Sequence, residues 1–339
     1  MFKDLKNKNV LIFGNTGFVG SWLSIALKTF NANILGVSLK MKNTKYVSNS
    51  YQFKKNIKTI YCDINNLTKI KQKIVNFKPN IVIHLASQPI VLDSFNNPSK
   101  TFNTNIMGTV NIFEHIKNIK SITKIIIFTS DKVYKNDYLT LDENSCLGGQ
   151  DPYSASKSCQ DIIAQSYSFS NFDKNVFILR SGNIIGGNDW GENRLLPDII
   201  NSVRNIKPVR IRSINSTRPW IHILDVINGI VSIIKHKKIK NSFEIYNLAP
   251  LNKKQISVKD IINVLKKNIY TKGLKVKKIK NNIREKKYLH ISARKINKRL
   301  NWKTKLDISE MINLTVKIYF SNKKDIYKNI QSQIRKFFN

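Results

Sequence analysis

Apolar positions along the first half of the chain fall into two recurring patterns, short continuous runs and longer stretches at helical spacing. Asn9–Phe13 reads as an apolar strand and Gly20–Phe30 as a helix. Asn33–Ser38 and Lys58–Cys62 read as strands separated by a polar stretch. Leu67–Phe77 has helical spacing, Asn80–Leu85 is strand-like, and Pro98–Ile119 predicts one long helix. The run KIIIFT at Lys124–Thr129 predicts a buried strand, Pro152–Tyr167 a helix and Val176–Arg180 another strand. Strands and helices taking turns predict an α/β fold, a doubly wound parallel sheet with helices on both faces.

Beyond about Gly182 the pattern loosens. Helices are expected at Leu195–Asn205, Leu224–Lys235, Val258–Lys267 and Ile308–Phe320, with loop-rich segments at Asn183–Arg194 and Arg212–His222. The expected division is a cofactor-binding domain over residues 1–182 and a smaller C-terminal substrate-binding lobe over 183–339, some of whose chain returns to the sheet. Such a lobe would close over the carboxyl edge of the sheet, where open α/β sheets bind ligands.

Composition narrows the setting. No apolar run approaches bilayer-spanning length. The N-terminal stretch MFKDLKNKNVLIFG has an apolar core of about five residues, shorter than a signal peptide needs. The three cysteines, Cys62, Cys146 and Cys159, form no CxxC pair, so neither disulfides nor a metal are indicated and a cytoplasmic setting is expected. The net charge of +37 permits nucleic-acid or membrane binding. Only 10 of the 58 basic residues are Arg, and the lysines are scattered, with Asn and Ile also abundant. That distribution favours compositional bias over a binding stripe, so neither nucleic acid nor membrane is expected as a partner. Five of the ten arginines, Arg194, Arg204, Arg210, Arg212 and Arg218, cluster together, as a phosphate-gripping site would require. Arg204, Arg210 and Arg212 are expected merely to line a helix or strand face.

Strand one runs into Gly14-Asn-Thr-Gly17-Phe-Val-Gly20 and then into a helix. In that context the turn lets backbone approach a pyrophosphate at the helix N-terminus, a Rossmann-type dinucleotide site. The acidic residue that usually ends strand two is replaced by Ser38, which can bond a ribose hydroxyl, while Lys40 beyond it suits an extra phosphate. NAD is the expected cofactor, with NADP left open by Lys40. Asp63 is placed either to accept from an adenine amino group or to cap a helix.

Tyr153 and Lys157 lie one turn apart on a predicted helix. A nearby ammonium would lower the tyrosine's pKa by favouring phenolate, so the pair is a candidate proton-transfer couple.

The glycine turn, Ser130 and the Tyr153/Lys157 pair resemble the extended short-chain dehydrogenase/reductase family, the NAD-dependent epimerases and dehydratases of nucleotide sugars. The longer stretches are similar to its CDP-glucose 4,6-dehydratase branch: GNTGFVGSWLS at Gly14–Ser24, HLASQPIV at His84–Val91 and TFNTNIMGTVN at Thr101–Asn111. They continue with TSDKVYKN at Thr129–Asn136, LGGQDPYSASK at Leu147–Lys157, GNIIGGNDWGENRLLPDII at Gly182–Ile200 and TRPWIHILD at Thr217–Asp225. A weaker echo is SARKINKRLNW at Ser292–Trp302.

The resemblance implies cofactor contacts at Gly14, Thr16, Gly17, Phe18, Val19 and Gly20, and at Ser38, Asp63 and Ile64. It extends them to Leu85, Ala86, Gln88, Asn105, Thr129, Tyr153 and Lys157. It implies that Tyr153, aided by Ser130, takes the proton of the sugar C4 hydroxyl. Asp131 would protonate the departing C6 hydroxyl and a neutral Lys132 would take the C5 proton. Lys132, where many relatives acting on deoxythymidine-linked glucose carry Glu, favours CDP-glucose. Substrate contacts are implied at Gln88, Ser130, Asn183, Arg194, Leu195, Arg218 and, at most as a loop contact, His222. His84 is read as strand-end packing. Trp190 and Trp220 are read as stacking groups or, equally, as core. A homodimer through the Pro98–Ile119 and Pro152–Tyr167 helices is also implied.

Asn15 and Val19 depart from the His and Lys that relatives tend to carry in the glycine turn. Two other readings compete. A 4-epimerase shares the fold and the Tyr/Lys pair but has no use for Asp131 and Lys132. A non-catalytic basic RNA-binding relative would predict decay of the catalytic set, and none is visible.

Overall fold

The computed structural model describes residues 3–135, 140–170, 172–236, 243–251, 255–279 and 288–339, so Asn136 at the end of TSDKVYKN lies outside the described residues. The glycine turn joins strand β1 (Asn9–Phe13) to helix α1 (Phe18–Thr29), and β2 (Asn33–Ser38) and β3 (Lys58–Tyr61) follow. Next come β4 (Ile81–His84), β5 (Lys124–Phe128) and β6 (Asn175–Ser181). Their central residues, such as Leu11, Ile83 and Ile126, are wholly buried, because helices cover both faces of a parallel sheet and leave no polar side.

The strands are parallel and stand in the order Phe243–Leu248, β6, β5, β4, β1, β2, β3. After β3 the chain crosses to the other side of β1 to form β4, and the sheet's carboxyl edge splays open at that switch point. The Phe243–Leu248 strand pairs with β6, Ile245 opposite Ile178, so part of the C-terminal half belongs to this sheet.

The expected long helix at Pro98–Ile119 is broken in register. Helical turns at Pro98–Phe102 and Gly108–Ile116 flank a π-helical turn at Asn103–Met107. Such bulges recur at functional sites. The expected helix at Leu67–Phe77 begins instead as a 3-10 segment, Ile64–Ile70, kinked at Asn66, and becomes α-helical at Lys71–Phe77.

One continuous core ties the two halves together. Trp302, from the SARKINKRLNW stretch, is fully buried and donates from its indole to the Asp225 carbonyl at 3.2 Å. A C-terminal helix, Ile326–Phe338, not anticipated from sequence, returns to α1: Phe338 packs edge-on to Phe30 at 5.2 Å and Gln331 bonds Thr29 at 3.2 Å. No helix among the described residues is long and apolar enough to cross a membrane.

Behind the carboxyl edge lies a buried ion pair. Arg180 at the end of β6 grips Asp161 with both forks, at 2.7 and 2.8 Å, and neither side chain is more than 1% exposed. Arg180 also donates to the Tyr134 hydroxyl at 3.0 Å, and Tyr134 donates to Asn247 at 2.7 Å. Asp161 sits on the Pro152–Phe169 helix, so this network fixes that helix against β6 and the Phe243–Leu248 strand.

Candidate active site

A cleft of about 1420 Å³ follows the switch point between the sheet's carboxyl edge and the C-terminal half. A drug-sized ligand needs roughly 300–1,000 Å³, so this cleft has room for a dinucleotide and a second ligand together.

The glycine turn forms one wall. Gly14 has φ +89°, and a Cβ there would lie 2.6 Å from the Ala86 backbone nitrogen. At Gly20 a Cβ would meet the Gly14 carbonyl at 2.0 Å, so α1 packs that close to the turn only with glycine. Gly17 differs: a Cβ would approach only the Gly14 carbonyl, at 3.7 Å. The fold therefore has no need of glycine at 17, and the backbone there stays open to the cleft. Gly17 is also the N-cap of α1, and no side chain caps the helix there, so its first N–H groups remain for an anion. Phe18, Val19, Leu85 and Ala86 line the same wall. Asn15 turns the other way, fully buried beneath β2 and donating to Thr59 Oγ1 at 2.8 Å.

At the end of β2 the hydroxyls settle what Ser38 offers. Thr16 Oγ1 donates to the Leu39 carbonyl at 2.9 Å, since a carbonyl only accepts. Its 2.6 Å contact with Ser38 Oγ must then carry the Ser38 proton, which leaves Ser38 as an acceptor towards the cleft. Asp63 and Ile64 line the cleft beyond β3, and Asp63 also caps the following 3-10 turn by accepting from Asn65 N at 2.9 Å.

The chemistry-bearing side chains gather where β5 ends. Ser130 accepts from Lys132 N at 3.3 Å, which turns the chain so that Asp131 and Lys132 follow side by side, and Thr129 lines the cleft just before them. Asp131 is 1% exposed; its Oδ1 accepts from Ser130 Oγ at 3.0 Å and from Lys132 Nζ at 3.4 Å. Its other oxygen, Oδ2, is buried with no partner, as befits an atom awaiting a ligand hydroxyl.

Tyr153 comes from the first turn of the Pro152–Phe169 helix, which Asp151 caps by accepting from Ser154 N at 2.9 Å. Burial pushes the Tyr153 phenol up to about 12, with a hydrogen bond to Ser130 and the charge of Arg194 acting the other way. This differs from the expectation that Lys157 lowers it. Lys157 is itself driven down to about 7 by burial, and its Nζ is turned to Gln160 Oε1 at 2.8 Å and the Phe128 carbonyl at 3.3 Å. Desolvation governs both groups here.

At the far end Asn183, Leu195 and Arg218 line the cleft together with Arg194, which pairs with Asp189 at 2.9 Å while its side chain stays 32% exposed. Arg210 and Arg212, expected only to line a strand face, line this cleft too, beside Asp198. Nothing in their spacing separates them from Arg204, which stacks between Trp190 and Phe320, at 5.2 and 5.4 Å, and donates to the Tyr319 carbonyl. Trp190 is core, edge-on to Tyr319 at 5.0 Å, whereas Trp220 lines the cleft. Tyr46, from the polar stretch after Lys40, lines it as well and was not anticipated.

Three expected contacts do not reach the cleft. Gln88 spends its amide on its own loop, bonding both the N–H and the C=O of Ile90 at 2.7 and 3.0 Å. Asn105 is fully buried and holds that loop through Gln88 N at 2.8 Å. His222 is fully buried and caps the Ile223–Lys235 helix, its Nδ1 accepting from Leu224 N at 3.3 Å.

Burial drives the His222 ring down to about 3, from 6.5. Between those values the unfolded chain binds the proton and the folded one does not, so stability falls as pH falls below 6.5. Asparagine keeps the cap without titrating. Wild type is expected to lose stability relative to His222→Asn by up to about 1.4 kcal/mol per pH unit, read from urea unfolding at pH 7, 6 and 5.

The profile of the family described as GDP-mannose 4,6 dehydratase matches residues 11–315. A CDP-glucose 4,6-dehydratase of Salmonella typhimurium is 32% identical over 324 residues, covering 92% of this chain and 90% of that protein. A dTDP-D-glucose 4,6-dehydratase of Dictyostelium discoideum is 32% identical over 280 residues, covering 72% of this chain and 61% of that protein. The solved UDP-glucuronic acid 4-epimerase of Bacillus cereus, in complex with UDP-glucuronic acid and NAD, shares the fold. Its TM-score is 0.80 at 24% identity, over 96% of this chain and 99% of that one.

Proposed function

The chain belongs to the GDP-mannose 4,6 dehydratase family, and from that premise we propose that it dehydrates CDP-glucose to CDP-4-keto-6-deoxyglucose with NAD as its cofactor. The observation that carries the reading is the buried, unpartnered Oδ2 of Asp131, on a carboxyl whose other oxygen contacts Lys132 Nζ at 3.4 Å. An epimerase has no step for this pair; a dehydratase uses both members.

The glycine cradle, open at Gly17, fits a pyrophosphate, and Ser38 as an acceptor fits a ribose hydroxyl better than a ribose phosphate. The Gly14–Gly20 turn and Ser38 would hold NAD, which would supply the reversible hydride acceptor that oxidation at C4 and reduction at C6 require. Tyr153 takes the proton of the C4 hydroxyl as its phenolate, which the positive nicotinamide of bound NAD would favour against the burial that raises the phenol. Lys132 takes the C5 proton and Asp131 gives one to the C6 hydroxyl, which leaves as water. Elimination starts with the proton on Asp131 and a neutral Lys132 and ends with the ion pair, so shifting one proton across their contact resets both. Arg194, Arg210, Arg212 and Arg218 supply the positive end of the cleft for the substrate's phosphates.

The reading places residues 1–182, with the Phe243–Leu248 strand, in the cofactor domain, and most of 183–339 in the substrate lobe. The three free cysteines fit a cytoplasmic enzyme. Exposed Met107, Ile162 and Phe169, at 47%, 53% and 73%, support a homodimer through the helices that carry them. Ile162→Glu is expected to shift sedimentation from dimer to monomer, and an unchanged dimer would remove this interface.

Mass spectrometry after incubation with CDP-, dTDP-, UDP- and GDP-glucose tests the activity. Loss of one water from CDP-glucose is expected. Sugar inversion without mass loss would replace the reading with the epimerase, and water loss only from another nucleotide would reassign the base.

A further inference from the structure

Lys157 has a partner that the proton transfers above leave unexplained. Gln160 lies three residues further along the same helix, fully buried, with its Oε1 2.8 Å from Lys157 Nζ. Its amide nitrogen lies 3.0 Å from His84 Nε2 and 3.0 Å from Thr109 Oγ1. An ammonium cannot accept, so the amide oxygen must be the atom that faces Lys157. The nitrogen then donates to His84, whose Nε2 must be unprotonated. Burial drives His84 the same way, down to about 3, with the Lys157 charge adding to the effect. Thr109 Oγ1 lies 2.7 Å from the Asn105 carbonyl and 3.0 Å from His84 Nε2, both acceptors for its one proton, and keeps its oxygen for Gln160. Every polar group of the amide is thus committed.

We propose that Gln160 is a positioning residue: braced by His84 and Thr109, it holds the Lys157 ammonium at the cleft floor through a neutral hydrogen bond instead of an ion pair. The inference rests on the reading of Lys157 as a group that serves NAD and Tyr153. The titratable groups facing this region are His84 from β4 and Tyr153 on the same helix, while Asp161, one turn on, is held by Arg180. Without a paired carboxylate, burial alone governs Lys157 and brings it down to about 7. A carboxylate at 160 would stabilise the ammonium and compete with any ligand for it.

The test is NAD binding by calorimetry from pH 6 to 9, on wild type, Gln160→Glu and Gln160→Leu, with turnover recorded alongside. Gln160→Glu is expected to move the alkaline midpoint of binding upward by roughly one to three pH units. Gln160→Leu is expected to move it down and to weaken NAD about tenfold at pH 8, having lost a hydrogen bond to a charged group. Should the leucine variant not fold, the glutamate variant decides alone. Midpoints unchanged in the folded variants, with only a lowered melting temperature, would overturn the proposal. Shifted midpoints in a protein that removes water from no nucleotide sugar would support Gln160 and sink the dehydratase reading.

Discussion

Lys132→Ala is expected to slow water elimination by about 10²–10⁴-fold, the usual worth of a positioned general base. Deuterium from solvent should no longer enter C5, while NAD binding and reduction of the bound cofactor by substrate persist. The separation is expected because the Lys132 side chain contacts Asp131 and is 28% exposed, so its loss leaves no buried cavity. Removing it does leave Asp131, at 1% exposure, without its cation. Asp131→Asn is the companion variant, keeping shape while removing the acid. Unimpaired C5 exchange in Lys132→Ala would take the base role from Lys132.

Breaking the buried pair behind the site is expected to cost stability on a comparable scale. Arg180→Leu strands Asp161, and Asp161→Leu strands Arg180; either is expected to destabilise the fold by about 3–5 kcal/mol. The double variant should be less destabilised than the sum, since no uncompensated charge remains. Urea unfolding of the four proteins gives the cycle. Additive losses would mean that the pair is not coupled, despite its 2.7 and 2.8 Å contacts.

Much of this architecture was legible in the chain because it is local. β1, the glycine turn and α1 follow one another within about one supersecondary unit, and their periodicities change where the elements change. The Tyr153/Lys157 spacing is a property of one helix and survives whatever packs around it. No clear strand pattern marks Phe243–Leu248 in the sequence, although it joins the same sheet. Its partner β6 lies far away in sequence, and six residues flanked by polar stretches carry too little pattern to name a sheet position.

Side-chain direction was the other gap. Arg204, Arg210 and Arg212 share a composition and a neighbourhood, yet two line the cleft and one packs on aromatic rings. Gln88 and His222 sit inside motif stretches and still turn away from the cleft, one to its own loop and one to a helix end. Gln160 carries no motif at all; its role arises only where β4 and the Gly108–Ile116 helix bring His84 and Thr109 to it.

The strand-end series Thr129-Ser130-Asp131-Lys132 and the helix that follows were determined by sequence alone, since residue identity and spacing suffice for a local turn and a helix face. Tertiary structure decided the electrical state of those residues. Burial raises the Tyr153 phenol and lowers the Lys157 ammonium, an amide takes the place of a charge beside Lys157, and one oxygen of Asp131 is left bare. Desolvation depends on what packs around a group from every side, and those neighbours come from segments that no local pattern brings together.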